Sequence, residues 1–330
     1  MKNTTEQNSF MPFTRPVQAD LDLFDQKLGD YLRGDSPLIA SIARHLLRTK
    51  GKRMRPAFVF LSSRAADNFN EHSVDASLAI ELIHTATLLH DDVVDESDLR
   101  RGQETVNAKW TNLISVLMGD YLFAKAFRIM VDTGSIDLID AISRATERVS
   151  VGELRQIEET GNYSLSEDEY LDIIANKTAS LFNVSCETGP ILMKRSASDR
   201  ERFAEFGEKI GTAFQIADDL LDFVGNAELT GKEPGNDVLN GKVTLPLIYA
   251  LKQVGEASSR ELVERLRKHR DEDTFRRVHE FISENGGLEY AYKRADELCQ
   301  QGLDSIKPIE ASVYYESLVE IVHFTSARVA

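Results

Sequence analysis

The sequence predicts an all-α fold, and three observations lead to this prediction. No proline falls between residues 56 and 190, so the residue that most reliably interrupts a helix is missing from a long central stretch. Apolar residues recur at helical spacing in several windows, for example at Leu78, Leu82 and Leu89. No window shows the sustained alternation of polar and apolar residues that is typical of a strand. Helices are therefore expected to form most of the fold.

Local signals predict where some of these helices begin and end. The run Ser166–Glu169 has the spacing of a capping box, which starts a helix, and Ser198–Glu201 has the same spacing. We expect the second of these helices to continue toward Gly225. Gly161 and the pair Gly189-Pro190 are the expected helix ends, because glycine and proline commonly follow a last turn.

The predicted organisation is one domain over residues 21–330, preceded by a flexible tail over residues 1–20. The stretch 225–241, rich in Gly, Pro and Asn, is the main internal loop that the sequence predicts. A chain of 330 residues is long enough to build the core of an enzyme.

Composition restricts the classes of function. The chain has 39 basic and 54 acidic side chains, a net charge of −15, so a basic surface for nucleic acid is not expected. An anionic substrate would need a local cluster of cations or a metal. Neither a signal peptide nor an apolar run of the roughly 18 residues that span a membrane is predicted. Two cysteines, Cys186 and Cys299, cannot form a disulfide framework, which favours a reducing, cytoplasmic compartment.

One acidic pentad occurs twice, each time after an apolar helical run. Its copies are Asp91-Asp92-Val93-Val94-Asp95 and Asp218-Asp219-Leu220-Leu221-Asp222. The first and last aspartates of each copy share a helix face, because positions i and i+4 differ by about 40°. Like charges at this spacing repel, and divalent cations would neutralise them. Carboxylate oxygens together with substrate phosphates are typical ligands of Mg²⁺. A solvated acidic face is the alternative interpretation, which the recurrence of the pentad disfavours.

Cations cluster beside both pentads. Residues 52–55 hold three of them, ahead of a proline that suits the first turn of a helix, where free N–H groups can meet phosphate oxygens. Arg100 and Arg101 follow the first pentad, and Lys232 and Lys242 flank the loop after the second. Each alone is typical of a protein surface, but their adjacency to the pentads favours anion binding.

Two further side chains share a face with the pentads. His84 precedes Asp91 by seven residues and lies about 20° from its face, so its imidazole is a candidate donor to a phosphate. A histidine that belongs to the core is the alternative. Gln215 precedes Asp218 by three residues and lies on the face of the second pentad.

Taken in order, these motifs resemble those of the trans-isoprenyl diphosphate synthases. The resemblance covers roughly residues 40–250 and depends on Gly51-Lys52-x-x-Arg55-Pro56, His84 to Arg101, Lys177-Thr178, Phe214-Gln215-x-x-Asp218-Asp219-x-x-Asp222 and Gly241-Lys242. It implies the isoprenoid synthase fold, which is a helical bundle around a central hydrophobic cavity, and a homodimer. It also implies transient membrane contact for product release.

The resemblance implies a reaction and a site as well. Members of that family condense isopentenyl diphosphate with an allylic diphosphate, using about three Mg²⁺ ions per site. The implied catalytic residues are Asp91, Asp92, Asp95, Asp218, Asp219, Asp222 and Lys177, of which Asp91, Asp95 and Asp218 would ligate metal. Isopentenyl diphosphate would be held by Lys52, Arg55, His84 and Arg101. The allylic diphosphate would be held by Arg100, Lys177, Gln215, Lys232 and Lys242, and Thr178 is a further implied substrate-binding residue.

The residues that set product length in that family lie four and five positions before the first pentad, where bulky aromatics give short products. Here these positions are Thr87 and Ala86, both small, which resembles the long-chain polyprenyl synthases that make quinone side chains. A helical wheel puts Ala86 about 140° from the first aspartate, so this helix alone does not explain the rule. Phe123, Phe127 and Met130 are alternative candidates for the floor of the cavity, or ordinary core residues.

Several alternatives stay open at this point. A farnesyl or geranylgeranyl diphosphate synthase would make a shorter product. A non-catalytic subunit of a heteromeric synthase would lack aspartates or cations, and none is missing here. A class I terpene cyclase would carry the motif Asn/Asp-Asp-x-x-Ser/Thr-x-x-x-Glu, which the run from Asn236 does not complete. A Mg²⁺-dependent hydrolase would not need the second anion site at Lys52 and Arg55.

Overall fold

Helices provide nearly all of the secondary structure in the part of the chain that the computed structural model describes. The described residues are 11–33, 36–48, 51–66, 70–100, 102–224 and 235–327, without the side chains of Asn236 and Glu256. Arg101 and Lys232, two of the predicted substrate-binding residues, lie outside these ranges. The helices are α1 (Gln18–Tyr31), α2 (Pro37–Arg48), α3 (Met54–Ala66), α4 (His72–Val94), α5 (Val106–Lys109), α6 (Asn112–Asp132), α7 (Ile136–Glu158), α8 (Glu167–Ile174), α9 (Ser180–Leu192), α10 (Ala197–Val224), α11 (Asn236–Leu239), α12 (Leu245–Lys268, broken at Gly255), α13 (Glu272–Glu284), α14 (Gly287–Ile306) and α15 (Val313–Ala327).

The prediction of an all-α fold is confirmed. Within the described residues, the strands are confined to one short antiparallel pair, β1 (Leu99–Arg100) and β2 (Gln103–Glu104), with Leu99 opposite Glu104. Gly102 in the connection has φ +73°, a conformation that glycine adopts without steric cost.

The predicted capping box is present at the start of α8. The Ser166 hydroxyl accepts a hydrogen bond from the Glu169 N–H, and the Glu169 carboxylate accepts one from the Ser166 N–H. The second predicted box is wrong, because Ser196 caps α10 by accepting the N–H of Asp199, and the helix then begins at Ala197. Its predicted course toward Gly225 agrees with the observed end at Val224.

The predicted helix end at Gly189-Pro190 is also wrong, because both residues lie inside α9. Gly189 serves close packing instead, since a Cβ there would lie 2.4 Å from the backbone nitrogen of Ser63 on α3. By contrast α7 ends at Glu158, shortly before Gly161, which has φ +78°.

The predicted flexible tail does not extend over residues 11–20. Pro12–Val17 form a 3₁₀ helix that leads directly into α1. Phe13 and Val17 are buried, and the ring of Phe13 lies 5.4 Å from that of Phe324 on α15. The apolar residues of this segment are therefore part of the core, which fixes the segment against the last helix.

The centre of the fold is formed by α3, α4, α9 and α10. α4 packs along α6, α9 packs against both α3 and α10, and α10 packs against α14. Phe58 on α3 meets Phe182 on α9 and Phe206 on α10 edge-on, at centroid distances of 5.5 and 6.1 Å. Such buried aromatic pairs add about 0.5–1.5 kcal/mol each to the energy of burial. These contacts join α10, which carries the second pentad, to α3, whose N-terminus carries the cations of residues 52–55.

None of the described helices combines the length and apolarity that crossing a bilayer requires. Cys186 and Cys299 are free thiols, and both are buried. The cytoplasmic location expected from the cysteine content stays a prediction.

Candidate active site

The two pentads lie near the C-terminal ends of α4 and α10. In the first copy Asp91 is half-buried, Asp92 is buried and Asp95 is exposed as the residue that ends α4. In the second copy Asp219 is buried, and Asp218 and Asp222 are half-buried.

Asp92, the middle aspartate of the first pentad, is ion-paired. Its Oδ1 lies 2.7 Å from Nε of Arg100, which the β1–β2 hairpin carries back toward the end of α4. The Asn107 amide donates to the backbone oxygens of Asp92 and Ser97, which fixes the hairpin against the helix. Arg100 is therefore beside the pentad, as predicted, and in this structure its guanidinium binds Asp92.

Asp91 has an unusual carboxyl group. Burial raises the pKa of Asp91 from 3.8 to about 7, and the nearby charges of Glu153 and Asp95 add to this effect. Lys177 and Arg100 oppose it. A carboxylate that is held among other carboxylates in this way gains from a bound cation.

Asp219, the middle aspartate of the second pentad, accepts two hydrogen bonds from uncharged donors. The Tyr170 hydroxyl lies 2.6 Å from Oδ2, and Nε2 of Gln215 lies 2.8 Å from Oδ1. The other end of the Gln215 amide accepts a hydrogen bond from the Thr178 hydroxyl at 2.8 Å. Burial raises the pKa of Asp219 to about 7, and the charge of Asp237 adds to this effect, while both hydrogen bonds oppose it.

Asp222 holds the chain where it returns to the site after α10. Its Oδ2 accepts the backbone N–H of Asp237 at 3.1 Å, and its carbonyl oxygen accepts that of Gly235 at 2.9 Å. Asp237 in turn binds Lys242, whose Nζ lies 3.2 Å from Oδ1. This arrangement places Lys242 near the second pentad.

Lys177 and Thr178 lie on a π-helical turn, Ala175–Ala179, between α8 and α9. Turns of this type are frequent at functional sites. Gly152 of α7 permits the close approach, since a Cβ there would lie 2.3 Å from the backbone nitrogen of Lys177. The ammonium of Lys177 lies 2.5 Å from the carboxylate of Glu153, also on α7.

Arg148 of α7 fastens the same turn. Its guanidinium donates to Oδ1 of Asn176 at 2.9 Å and to the carbonyl oxygen of Ala175 at 3.2 Å. It also binds both carboxylate oxygens of Glu208 on α10. The backbone that carries Lys177 is thus held from two helices.

Lys242 feels the charges of both pentads. Burial lowers its pKa, but the charges of Asp237, Asp95 and Asp219 outweigh burial, so the pKa of Lys242 is raised overall. Asp91 likewise feels the charge of Lys177, which lies on the side of the second pentad. Lys242 and Lys177 therefore both lie within electrostatic range of the first pentad.

A cavity of about 120 Å³ lies beside the second pentad. Four predicted site residues line it, namely Lys177, Gln215, Asp219 and Lys242. The rest of its wall is formed by Gln156, Glu159, Thr160, Leu165, Tyr170, Ile173, Ile174, Asp237, Val243 and Thr244. Residues separated by more than 60 positions in the sequence thus meet around one cavity with two cations.

The carboxylates fit a hard divalent cation by their chemistry, because all of them offer oxygen ligands. Within the described ranges, no three His, Cys, Asp or Glu side chains are grouped closely enough to hold a metal ion by themselves. Oxygen ligands of this kind suit Mg²⁺, which commonly takes one or two carboxylates and completes its shell with water and substrate phosphates.

The predicted second anion site lies at the N-terminus of α3. Lys52 is exposed, with Nζ 5.7 Å from the ring of Phe324, and the guanidinium of Arg55 lies 4.7 Å from the ring of Phe182. Arg53 between them has φ +51° and binds carboxylates on α1 and α4, Asp25 at 3.0 Å and Glu81 at 3.1 Å. The three neighbouring cations thus have different roles. Arg53 fixes the loop before α3 through its two ion pairs, whereas Lys52 and Arg55 lie beside aromatic rings.

The remaining predicted residues lie on α4 and α6. His84 is half-buried, and its carbonyl oxygen accepts the Thr87 hydroxyl at 2.8 Å. Ala86 is fully buried, as is Met130, whereas Phe127 is 48% exposed and does not belong to the core. Phe123 packs near His90, with ring centroids 5.9 Å apart.

Sequence analysis missed four residues that shape the site. Tyr170, Glu153 and Asp237 bind the predicted site residues Asp219, Lys177 and Lys242, and Arg148 binds the turn that carries Lys177. Tyr170 follows the Ser166–Glu169 capping box directly, but nothing in the sequence connects it with an aspartate 49 positions later.

The chain matches known proteins over most of its length. The family model described as polyprenyl synthetase matches residues 36–282. The all-trans-nonaprenyl-diphosphate synthase (geranyl-diphosphate specific) of Rhodobacter capsulatus is 36% identical, over 95% of this chain and 96% of that protein. Component 2 of the heptaprenyl diphosphate synthase of Bacillus subtilis is 32% identical, over 94% and 89%.

A solved structure agrees with the sequence comparisons. The polyprenyl synthase of Caulobacter crescentus CB15, complexed with calcium and isoprenyl diphosphate, superposes with a TM-score of 0.91. It is 36% identical, and the match covers 96% of this chain and 97% of that one. On the family match and these relatives, the chain belongs to the polyprenyl synthetase family.

Proposed function

We propose that this protein is a Mg²⁺-dependent trans-prenyltransferase that adds isopentenyl diphosphate repeatedly to an allylic diphosphate and so makes a long all-trans polyprenyl diphosphate. Prenyl transfer itself follows from membership of the family. The observation that carries the proposal is the cavity beside the second pentad, which Lys177, Gln215, Asp219 and Lys242 line together. Two cationic side chains close to carboxylates suit a diphosphate that is bound through metal ions.

The proposed metal ligands are Asp91, Asp95 and Asp218. Bound Mg²⁺, about three ions per site, would neutralise the diphosphate and stabilise the charge that develops on it as it leaves. The calcium and isoprenyl diphosphate in the Caulobacter structure support a divalent cation beside a diphosphate in this fold. No organic cofactor is needed.

The allylic diphosphate is proposed to bind between the π-helical turn and α10. Lys177 and Lys242 supply charge there, and Gln215 supplies an amide at the wall of the cavity. Arg100 would join them from the hairpin, together with Lys232. When the carbon–oxygen bond of the substrate breaks, these groups hold the departing diphosphate and the allylic cation remains in the apolar part of the cavity.

Isopentenyl diphosphate is proposed to bind at the N-terminus of α3. Lys52 and Arg55 lie there at the first turn of the helix, and His84 and Arg101 would complete the site. The double bond of isopentenyl diphosphate attacks the allylic cation, a carbon–carbon bond forms, and a proton is then lost to the released diphosphate. Holding the two anions in fixed orientation supplies much of the rate enhancement.

A long product is proposed because the first pentad follows small residues. Thr87 is half-buried and Ala86 is fully buried, so neither adds an aromatic ring that would close the end of the cavity. The nonaprenyl and heptaprenyl synthases among the relatives support this assignment over a farnesyl or geranylgeranyl product. A role in the synthesis of quinone side chains, with transient membrane contact for product release, is part of the proposal.

A homodimer is also proposed, with α6 and α7 forming the contact. Exposed apolar residues recur at helical spacing on both helices, which gives each helix an exposed apolar face. They are Leu113, Val116, Leu117, Phe127 and Val131 on α6 and Ile136, Val151, Leu154 and Ile157 on α7. A symmetric pair buries such a surface on both copies. The heteromeric alternative is suggested by the relative named component 2, and light scattering of the purified chain, with and without the substitution Leu117→Glu, distinguishes the two.

The catalytic proposal is tested with purified protein, Mg²⁺, isopentenyl diphosphate and geranyl or farnesyl diphosphate. We expect release of diphosphate together with all-trans products much longer than the primer, which chromatography of the dephosphorylated polyprenols measures. Release of diphosphate without incorporation of isopentenyl carbon would favour a cyclase or a hydrolase. Arrest after one or two additions would favour the shorter-chain synthase.

A further inference from the structure

Four side chains, one of them the middle aspartate of the second pentad, form a continuous hydrogen-bonded chain. Tyr170 of α8 donates to Asp219, Gln215 donates to the other oxygen of Asp219, and Thr178 of the π-helical turn donates to Gln215. The three distances are 2.6, 2.8 and 2.8 Å. Tyr170 is 3% exposed and Asp219 is 5% exposed, so water does not compete at this end of the chain.

The direction of each hydrogen bond follows from the groups involved. The ionised carboxyl group of Asp219 only accepts, so in that form it requires the amide nitrogen of Gln215 to face it, as observed. The amide oxygen of Gln215 then faces Thr178, whose hydroxyl donates to it. The Asp219 carboxylate thus determines which end of Gln215 each neighbour meets.

Tyr170 fixes the other oxygen of Asp219 from a well-anchored helix. The capping box starts α8, and Glu167 in its first turn binds Arg294 and Tyr290 on α14, at 3.2 and 2.7 Å. Because α8 is anchored in this way, the Tyr170 hydroxyl holds the carboxylate in one orientation.

We propose that Tyr170 and Asp219 are positioning residues, which act through Gln215 and Thr178 to fix the wall of the cavity on which the allylic diphosphate lies. This inference rests on the proposed function. It gives Asp219 a different task from Asp218, whose carboxylate is a proposed metal ligand in the same pentad. It also assigns a role to Tyr170, a residue outside all of the predicted motifs.

The test compares two substitutions of the same kind. Tyr170→Phe removes the hydroxyl that binds Asp219, and the control Thr188→Val removes a buried hydroxyl that donates to the carbonyl oxygen of Val184 inside α9. For Tyr170→Phe we expect kcat/KM for the allylic diphosphate to fall about tenfold, with the KM for isopentenyl diphosphate unchanged. Thr188→Val should leave both KM values near those of the wild type.

A change in the kinetic parameters for the allylic diphosphate alone distinguishes a positioning role from a general loss of stability, which would affect both substrates. If Tyr170→Phe matches Thr188→Val in both KM values and in kcat, or if both KM values of Tyr170→Phe rise equally, the inference is overturned. Should Tyr170→Phe not fold, Thr178→Val breaks the chain at its other end, with Thr188→Val inside α9 as its control. Thr178→Val must then show the same selective loss for the allylic substrate, and its absence also overturns the inference.

The proposed function fails separately. A wild-type protein that does not elongate an allylic primer refutes the prenyltransferase assignment. Elongation by the wild type, with no selective loss in the variants, refutes only the positioning role of Tyr170 and Asp219.

Discussion

The two copies of the acidic pentad have the same spacing but different surroundings. In the first copy the middle carboxylate, Asp92, pairs with the guanidinium of Arg100 at 2.7 Å. In the second copy the middle carboxylate, Asp219, accepts from two uncharged donors, Tyr170 and Gln215. The first copy ends α4, so Asp95 is exposed, whereas the second lies within α10.

This difference follows from the position of the middle residue on the helix. The first and last aspartates share one face because of the helical period, but the second residue is turned about 100° away from the first. The partner of this middle residue therefore depends on which element packs beside the helix. A hairpin packs beside the end of α4, and the helix α8 packs beside α10. A repeated motif thus predicts that the first and last carboxylates (the outer carboxylates) share a face in both copies. It does not predict the partner of the middle carboxylate (the inner carboxylate).

The outer carboxylates should matter most for catalysis. Asp91→Ala removes a proposed metal ligand, and we expect kcat to fall by at least about 10² to 10³, the scale of losing one key electrostatic stabiliser. Asp98→Ala removes an exposed carboxylate just outside the pentad and serves as the control. Steady-state rates of isopentenyl incorporation measure the effect, and near-normal turnover of Asp91→Ala would remove this residue from the site.

The buried inner carboxylate should make metal-free stability depend on pH. Because the pKa of Asp219 is raised from 3.8 to about 7, its ionised form is disfavoured in the folded state. Its contribution to the free energy of unfolding therefore falls as pH rises from about 4 to about 7 and stays low above that. Asp219→Asn cannot ionise, so its stability relative to the wild type should rise over this range by roughly 2–4 kcal/mol.

Urea unfolding of both proteins in EDTA, at pH 5 and pH 8, measures this change. The variant also places an amide nitrogen near Gln215, but this cost is the same at both pH values. The change with pH therefore isolates the carboxylate, and equal differences at pH 5 and pH 8 would contradict the raised pKa.

The paired inner carboxylate should instead support the hairpin. Asp92→Asn weakens the ion pair with Arg100, and we expect a loss of about 2 kcal/mol in the free energy of unfolding at pH 7. Arg100→Gln should cost a similar amount, and the double variant much less than the sum, because the two changes remove one interaction. Additive losses in denaturant unfolding would show that the residues act independently.

Much of the fold could be predicted, because the apolar periodicity and the capping residues of a helix are local features of the sequence. The course of α10 and the Ser166–Glu169 capping box were visible in the sequence. The Gly189-Pro190 pair was misassigned, because glycine serves both helix ends and close helix packing, and sequence alone does not tell which neighbour approaches. The N-terminal segment was misassigned because its few apolar residues are buried against α15 and α3, helices that are distant from it or separate from it in the sequence.

The sequence predicted which residues line the site, but it did not predict which hydrogen bonds they make. Lys177, Gln215 and Lys242 line one cavity with Asp219, as the motifs indicated, although their roles stay predictions. The hydrogen bond from Tyr170 to Asp219 joins residues 49 positions apart, and no local signal reports such a contact. Long-range partners of this kind depend on how whole helices pack.

The residues before each pentad extend the comparison to product length. Four positions before the first pentad lies Thr87, and four before the second lies Phe214, whose ring packs 5.4 Å from that of Phe182. The aromatic residue thus stands on α10 and the small one on α4. A growing chain is therefore expected to pass along the α4 side.

An aromatic ring on α4 should then shorten the product with little effect on the first condensation. Thr87 is half-buried, so Thr87→Phe adds its ring at a position with room beside it, and kcat for one addition should stay within about threefold. Ala86→Phe should also shorten the product, but Ala86 is fully buried, so overpacking should cost about 1–3 kcal/mol of stability as well. Thr85→Phe, about 160° away from Thr87 around the helix, is the matched control. An unchanged product distribution in Thr87→Phe would mean that the chain does not run along α4, and the small residues before the first pentad would then say nothing about length.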